Sequence, residues 1–137
     1  MCNTLSPNSS LLDAALAAAQ NAYAPYSGFK VGAALLLSSG AIIKGANVEN
    51  VSYGLTICAE RAALVRAIAE HGPHLRIRAI AVANLNNAPS PPCGACRQML
   101  SEFTDPDAEI VFFADGEPRS MTFADLLPFA FNTSVKA

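Results

Sequence analysis

Three cysteines and a glutamate stand at spacings that could build a metal site beside a carboxylate. Cys58 and Glu60 are two residues apart at the start of an apolar stretch, and Cys93 and Cys96 have the Cys-x-x-Cys spacing after two prolines. Both stretches are predicted to begin a helix. A helix N-terminus stabilises negative charge through its unpaired N–H groups and its dipole, so it favours the thiolates that bind metals. The pattern indicates a zinc site with Glu60 as a carrier of protons.

The number of thiols bears on whether such a zinc site is catalytic or structural. Zinc held by three protein ligands keeps an open position for water, whereas a structural site is closed by a fourth ligand. His71 and His74 could not easily supply a fourth ligand, because a helix that begins at Cys58 carries His71 about 20 Å away. Two other interpretations stay open: a zinc-binding module without activity, and a redox pair formed by Cys93 and Cys96.

A known enzyme signature contains the same residue types in the same order. Zinc deaminases that act on nucleobases have a metal ligand, any residue and Glu, followed downstream by Pro-Cys-x-x-Cys. This chain has Cys58-Ala59-Glu60 and Pro92-Cys93-Gly94-Ala95-Cys96. The chain resembles the small cytidine deaminases with an all-cysteine zinc site over nearly its whole length, including residues 23–27, 47–50 and 126–128.

The resemblance implies a hydrolase that converts cytidine and 2'-deoxycytidine to the uridines and releases ammonia, as in pyrimidine salvage. One zinc ion per chain, on Cys58, Cys93 and Cys96, would lower the pKa of a bound water toward ~7. Glu60 would take the proton from that water and return protons to N3 and to the leaving amino group. The closest alternative is a related deaminase of a cytosine-containing antibiotic or of a modified nucleoside, with the same zinc chemistry.

Six further residues are implied to bind the substrate. Asn47 and Glu49 follow a predicted strand directly, where an amide and a carboxylate could hold the hydroxyls of the ribose. The resemblance gives Phe29 a place against the pyrimidine ring and lets Phe131, and with it Tyr53, act in the site of a neighbouring chain. The alternative for Phe29 and Tyr53 is plain packing, and the alternative for Phe131 is packing in the core of its own chain. The full implied set is Phe29, Asn47, Glu49, Ala59, Tyr53 and Phe131.

Two arginines lie close in sequence to the cysteines. Three thiolates on one dication leave a net charge near −1, which weakens zinc as a Lewis acid, so a guanidinium that donates to the sulfurs would restore it. Arg61 resembles the residue that does this in the family, and Arg97 is a second candidate.

Apolar runs and turn residues predict the elements that position these side chains. Helices are expected to begin near residues 8–10, 58, 93 and 123 and to end near residues 22, 70, 103 and 127. Strands are expected at residues 29–37, 41–48, 77–83 and 109–114, with a short strand near Arg119. The first two strands are joined by Ser38-Ser39-Gly40, which is typical of a hairpin.

The order of these elements predicts an α/β fold, a three-layer α/β/α sandwich with a mixed sheet of about five strands. Strands that alternate with helices call for parallel neighbours joined by right-handed crossovers, and the initial hairpin adds an antiparallel pair. In such sheets ligands bind beyond the carboxyl ends of the strands, where both cysteine segments fall. A length of 137 residues predicts one domain over residues 1–137.

Composition narrows the class of partner. The formal charge of −2 and nine scattered Lys and Arg make a nucleic-acid polymer an unsuitable ligand, and no apolar run is long enough to span a membrane. Only 15% of residues are charged, which favours a surface covered by other subunits, and the resemblance makes the assembly a homotetramer. Thiols at metal-site spacing favour the cytoplasm, and Cys2 is left without a role.

Overall fold

Nine helices and strands and one 3-10 turn make up the structure, a computed structural model that describes residues 9–132. The helices are α1 (Ser9–Ala19), α2 (Ala59–His71), α3 (Gly94–Ser101) and α4 (Phe123–Leu126). The strands are β1 (Val31–Leu37), β2 (Ile42–Ala46), β3 (Ile77–Asn84), β4 (Thr104–Ala114) and β5 (Glu117–Thr122), and the 3-10 turn is Tyr53–Leu55. Cys2 lies outside the described residues.

The five strands form one mixed sheet in the order β2-β1-β3-β4-β5. β3 and β4 pair in parallel, whereas the other three neighbouring pairs are antiparallel. Because β2 and β3 both run opposite to β1, they point the same way, and α2 connects them across β1. Helix α3 likewise connects β3 to β4. The mixed sheet predicted from the order of elements is therefore confirmed.

Helices cover both faces of the sheet and complete the three predicted layers. On one face, α2, α3 and α4 bury a cluster that includes Leu64, Leu100 and Phe123 against β3 and β4. On the other face, α1 buries Leu11 and Ala15 against the small residues of β1 and β3. The cysteines lie on the first of these faces, because α2 and α3 both belong to it.

Glycine in two strands lets a helix approach the sheet closely. A Cβ on Gly45 would lie 2.4 Å from the backbone N of Ala63 and 2.7 Å from the carbonyl O of Ala59. A Cβ on Gly32 would lie 1.9 Å from the carbonyl O of Ala15. These contacts are closer than any real Cβ tolerates. Gly45 therefore fixes how near β2 comes to the first turns of α2, where Cys58 and Glu60 lie.

Two element boundaries differ from the prediction by three residues or more. Helix α1 ends at Ala19 instead of residue 22, because the next N–H groups bond to carbonyls three residues back, as from Asn21 to Ala18. Strand β4 begins at Thr104 rather than residue 109, although its pairing with β3 shifts register on the way. Within residues 9–132, no helix is long and apolar enough to cross a membrane.

Candidate active site

The starts of α2 and α3 bring three thiols together. Cys58 and Cys93 are the N-cap residues of these helices, and both have extended backbones, with ψ of 155° and 167°. Cys96 lies in the first turn of α3 and is fully buried. The Sγ atoms of Cys58 and Cys93 are 3.8 Å apart, and those of Cys93 and Cys96 are 3.4 Å apart. All three lie within 4.8 Å of one another.

This cluster fits zinc. Tetrahedral zinc with Zn–S bonds of about 2.3 Å places its sulfur ligands about 3.8 Å from each other. The two sulfur–sulfur distances, 3.8 and 3.4 Å, lie at or below that value. Among the residues that the structure describes, Cys58, Cys93 and Cys96 are the one group that could hold a metal ion. No histidine of the described residues joins this group, so the donors that it offers to a metal are three thiols.

The pKa values of two of the thiols are shifted in opposite directions. Hydrogen bonding with Cys96 is the main cause that lowers the pKa of Cys58, to about 5, and Arg61 adds to it. The same bond and burial raise the pKa of Cys96 well above its usual value. These opposite shifts favour a thiolate at Cys58 and a thiol at Cys96, and a metal dication would displace the remaining proton on binding.

Arg61 lies beside the thiols, where the charge argument predicted a guanidinium. Its Nη2 donates to Cys58 Sγ at 3.5 Å. Its Nε is buried and has no hydrogen-bond partner among the described residues. A buried donor without a partner is costly. A cation held here suits a cluster of thiolates, because the group it faces carries negative charge.

Arg97 does not reach the sulfurs, and the expectation that it donates to them is not met. Its Nε donates to the carbonyl of Pro92 at 2.7 Å, and its Nη1 donates to the carbonyl of Leu126 at 2.8 Å. A helical side chain leans toward the N-terminus of its helix, which brings Arg97 back over the turn before Cys93. The end of α4 then supplies the second acceptor.

Glu60 is a buried carboxyl next to the thiols. It lies in the first turn of α2 and is 4% exposed. Burial is the main cause that raises its pKa to about 7, and the negative charge of Cys58 adds to the shift. A carboxyl with a pKa near neutral pH can both take and give a proton, which general acid–base catalysis requires. The position suits the role predicted for it.

Asn47 is buried, and its side chain hydrogen-bonds the backbone at the start of β1. Its Oδ1 accepts from the N–H of Val31 at 2.9 Å, and its Nδ2 donates to the carbonyl of Phe29 at 2.9 Å. An amide has two donor hydrogens and two acceptor lone pairs, so one of each remains for a ligand. Asn47 therefore has a structural role that the sequence did not indicate, beside the predicted ribose contact.

Glu49 lines an open cleft of about 420 Å³ together with Tyr26, Ser27, Tyr53 and Thr56. Its carboxylate accepts from the N–H groups of Tyr26 and Ser27, at 3.0 and 3.2 Å, and from the Ser27 hydroxyl. The hydrogen bond from the Ser27 hydroxyl is the main cause that lowers the pKa of Glu49. The carboxylate is thus ionised at neutral pH and can accept hydrogen bonds from hydroxyl groups.

Ser27 is a residue of this cleft that sequence reasoning missed. Besides donating to Glu49, its Oγ accepts from the N–H of Phe29 at 2.9 Å. It therefore links two residues that were each predicted to bind substrate. A serine that bonds two residues ahead is a common turn motif, and Ser27-Gly28-Phe29 could have suggested that bond. The bond to Glu49 has no local signal.

The remaining predicted residues lie in different places. Tyr53 is 75% exposed, and its ring packs edge-on against Tyr26 with 6.1 Å between centroids at the cleft. Ala59 is fully buried beside Glu60. Phe29 is partly buried. Phe131 lies beyond α4 and is 76% exposed, so it does not pack into the core of its own chain.

Comparison with known proteins places these features in one family. The model of the cytidine and deoxycytidylate deaminase zinc-binding region matches residues 5–114. The chain is 47% identical to the cytidine deaminase of Halalkalibacterium halodurans over 88% of this chain and 91% of that protein. Its fold matches the crystal structure of cytidine deaminase from Burkholderia pseudomallei with a TM-score of 0.82 and 47% identity, covering 93% of this chain and all of that one. The cytidine deaminase structure from Mycobacterium tuberculosis gives 0.79 and 40%, over 93% and 99% of the two chains.

Proposed function

The chain belongs to the cytidine and deoxycytidylate deaminase family, and from that membership we propose that it deaminates cytidine and 2'-deoxycytidine hydrolytically to the uridines. The observation that carries the proposal is a buried carboxyl, Glu60, next to three converging thiols that fit zinc. A closed structural site would lack this arrangement, because its fourth position would be filled by the protein.

The residues of the site have two roles in the reaction, metal binding and proton transfer. Bound zinc, on Cys58, Cys93 and Cys96, would supply a Lewis acid that activates water for attack on C4 of the pyrimidine. Glu60 takes the proton of the attacking water, passes it to N3 of the base, and later delivers a proton to the departing amino group. Its burial keeps it protonatable near neutral pH, so one carboxyl serves as base and acid in turn.

The sugar is held by the cleft that Glu49 lines. Glu49 is ionised there, and Asn47 keeps one free donor and one free acceptor, so both can bond ribose hydroxyls. Phe29 and Ala59 are assigned to the base, Phe29 against the ring and Ala59 at the start of α2 beside Glu60. Binding energy from the sugar then helps to hold C4 against the attacking water.

Other chains of the same protein complete the site in this proposal. The described surface exposes several large apolar side chains on and before α2 and in the C-terminal segment. These are Val51, Tyr53, Leu55, Val65, Phe129 and Phe131. A homotetramer would cover them, and Phe131 and Tyr53 would then reach a neighbouring site. We place the enzyme in the cytoplasm and in pyrimidine salvage, since its free thiols suit a reducing compartment.

The test is the loss of the ultraviolet absorbance of cytidine on mixing with the protein, together with metal analysis. We expect turnover with one zinc per chain, loss of activity after treatment with a chelator, and recovery on adding zinc. Cys96→Ala should lose zinc, whereas Cys2→Ala should keep it. Full zinc occupancy in Cys96→Ala would contradict the ligand set, and zinc without turnover of any cytosine nucleoside would point to a binding module.

A further inference from the structure

Two adjacent side chains of α3 hold the C-terminal segment. Arg97 donates from Nη1 to the carbonyl of Leu126 at 2.8 Å, and Gln98 donates from Nε2 to the carbonyl of Phe131 at 3.0 Å. Both donors are partly buried, and their acceptors lie 29 and 33 residues ahead in the chain. The stretch from the last residue of α4 to Phe131 is therefore fastened at both ends to the helix that carries Cys96.

The guanidinium of Arg97 also holds the turn that carries a predicted zinc ligand. Its Nε donates to the carbonyl of Pro92 at 2.7 Å, and Pro92 directly precedes Cys93. A guanidinium presents several donors in a fixed plane, so one Arg97 fixes the relative places of the Pro92 and Leu126 carbonyls. Pro92 is fully buried, which makes this carbonyl a firm anchor for the chain just before the thiol.

The fastened segment has a backbone conformation that needs support. Phe129 has a φ of 55°, in the left-handed region that bulky residues rarely adopt. Such a conformation persists only where the surroundings enforce it. Phe129 is fully exposed, so packing of its ring does not enforce it within this chain. The bonds from Arg97 and Gln98 lie on either side of Phe129 and can support this conformation.

We propose that Arg97 is a positioning residue that ties the turn before Cys93 to the end of α4, so that zinc retention and the order of residues 127–132 depend on the same guanidinium. Gln98 fastens the far end of that segment and has no part in holding Cys93. The zinc part of this inference rests on the proposed function, whereas the hydrogen bonds of Arg97 do not.

Zinc release to a chromogenic chelator and amide hydrogen exchange of residues 127–132 test the two roles on zinc-loaded protein. Arg97→Ala should release zinc about tenfold faster, as is typical when a group that orients a metal ligand is removed, and should speed exchange of the segment. Gln98→Ala should speed exchange but leave zinc release within about twofold of the unmutated protein. Arg97→Lys keeps a donor that can reach the Pro92 carbonyl and should recover part of the zinc retention.

Arg119→Ala is the matched control, because Arg119 is an exposed arginine whose side chain bonds Asp115 across the β4–β5 turn, far in sequence from the cysteines. It should change neither readout. Unchanged zinc release in Arg97→Ala, or equal acceleration in Gln98→Ala, would overturn the inference. If Arg97→Ala does not fold, Arg97→Lys takes its place, and it should release zinc faster than Gln98→Ala. Turnover and zinc content of the unmutated protein are measured first. If the unmutated protein binds zinc and turns over cytidine, and Arg97→Ala retains zinc normally, only this inference fails. If the unmutated protein binds no zinc, the proposed function and this inference both fail.

Discussion

At the scale of single residues, burial sets what Glu60 can do. An exposed glutamate would be ionised and weakly basic at neutral pH, whereas burial raises the pKa of Glu60 to about 7. Both protonation states are then accessible at working pH. The nearby Arg61 lies against Cys58 rather than forming an ion pair with this carboxyl, which leaves Glu60 free to exchange protons.

Replacing Glu60 by glutamine tests this role. The amide keeps the shape of the carboxyl but cannot accept a proton. We therefore expect Glu60→Gln to retain zinc and the fold, while kcat falls by a factor of ~10² to 10⁴ or more. Steady-state rates with cytidine and zinc analysis measure both. Glu70→Gln is the control, because Glu70 is an exposed residue of the same helix and should keep its activity. Retention of more than about a tenth of kcat by Glu60→Gln would exclude the mechanism.

Ser27→Ala tests the link between the sugar and base contacts. Without the hydroxyl, Glu49 and the N–H of Phe29 each lose a partner, so kcat/KM for cytidine should fall about tenfold, the effect of one hydrogen bond to a charged group. Free cytosine, which has no ribose, should be affected much less. Ser39→Ala is the control, since Ser39 makes the same bond two residues ahead in the hairpin turn.

The same variant should change how binding depends on pH. Glu49 has a lowered pKa, so its contribution to ribose binding is present at neutral pH and is lost as the pH falls through that pKa. Ser27→Ala removes the main cause of the lowering. The pKa of Glu49 should therefore rise, and KM for cytidine should begin to increase at a higher pH than in the unmutated enzyme. Identical pH profiles would show that Ser27 does not set the charge of Glu49.

At the scale of elements, the packing of α2 on β2 determines where Cys58 and Glu60 lie. A Cβ at Gly45 would collide with backbone atoms of Ala59 and Ala63, which cannot turn aside as a side chain can. Gly45→Ala should therefore lower the free energy of unfolding by about 1–3 kcal/mol, as overpacking does. Urea unfolding measures it. Gly54→Ala, where no atom lies within 4 Å of the new Cβ, should change stability by about 0.5 kcal/mol at most.

At the scale of the whole molecule, the described surface exposes several large aromatic side chains. Tyr53 and Phe131 are both about three-quarters exposed, and Phe129 is fully exposed. Large exposed aromatic groups of this kind mark interaction sites. A second copy of the chain is the partner that the low charged fraction and the Ala-rich helix α2 favour.

Light scattering at micromolar concentration tests this assembly. We expect a mass of about four chains of 14.3 kDa each. Phe131→Ala should raise KM for cytidine if its ring enters a neighbouring site, whereas Val65→Ala should affect assembly rather than KM. A fully active monomer would contradict both the tetramer and the shared site. A tetramer in which Phe131→Ala leaves KM and kcat unchanged would remove only Phe131 from the site.

The sequence by itself predicted the three thiols that the structure brings together, and it determined the layers of the fold. Cys58 and Glu60 are two residues apart, and Cys93 and Cys96 three, so each pair is placed by a single helix start and needs no distant contact. The buried strands could be predicted because an apolar run bounded by turn residues indicates a strand whatever the surrounding fold. Boundaries were less readable, as at Ala19, since the last turn of a helix depends on what it packs against.

Only the tertiary structure decided which distant groups support the site. The bond from Ser27 to Glu49 spans 22 residues, and the bond from Arg97 to Leu126 spans 29. Arg97 was expected to donate to the thiols because it is near them in sequence. It donates instead to a carbonyl at the end of α4, which no local sequence pattern indicates. Hydrogen-bond partners of long side chains depend on which backbone groups the fold leaves unpaired nearby, and that is settled only when the helices have packed on the sheet.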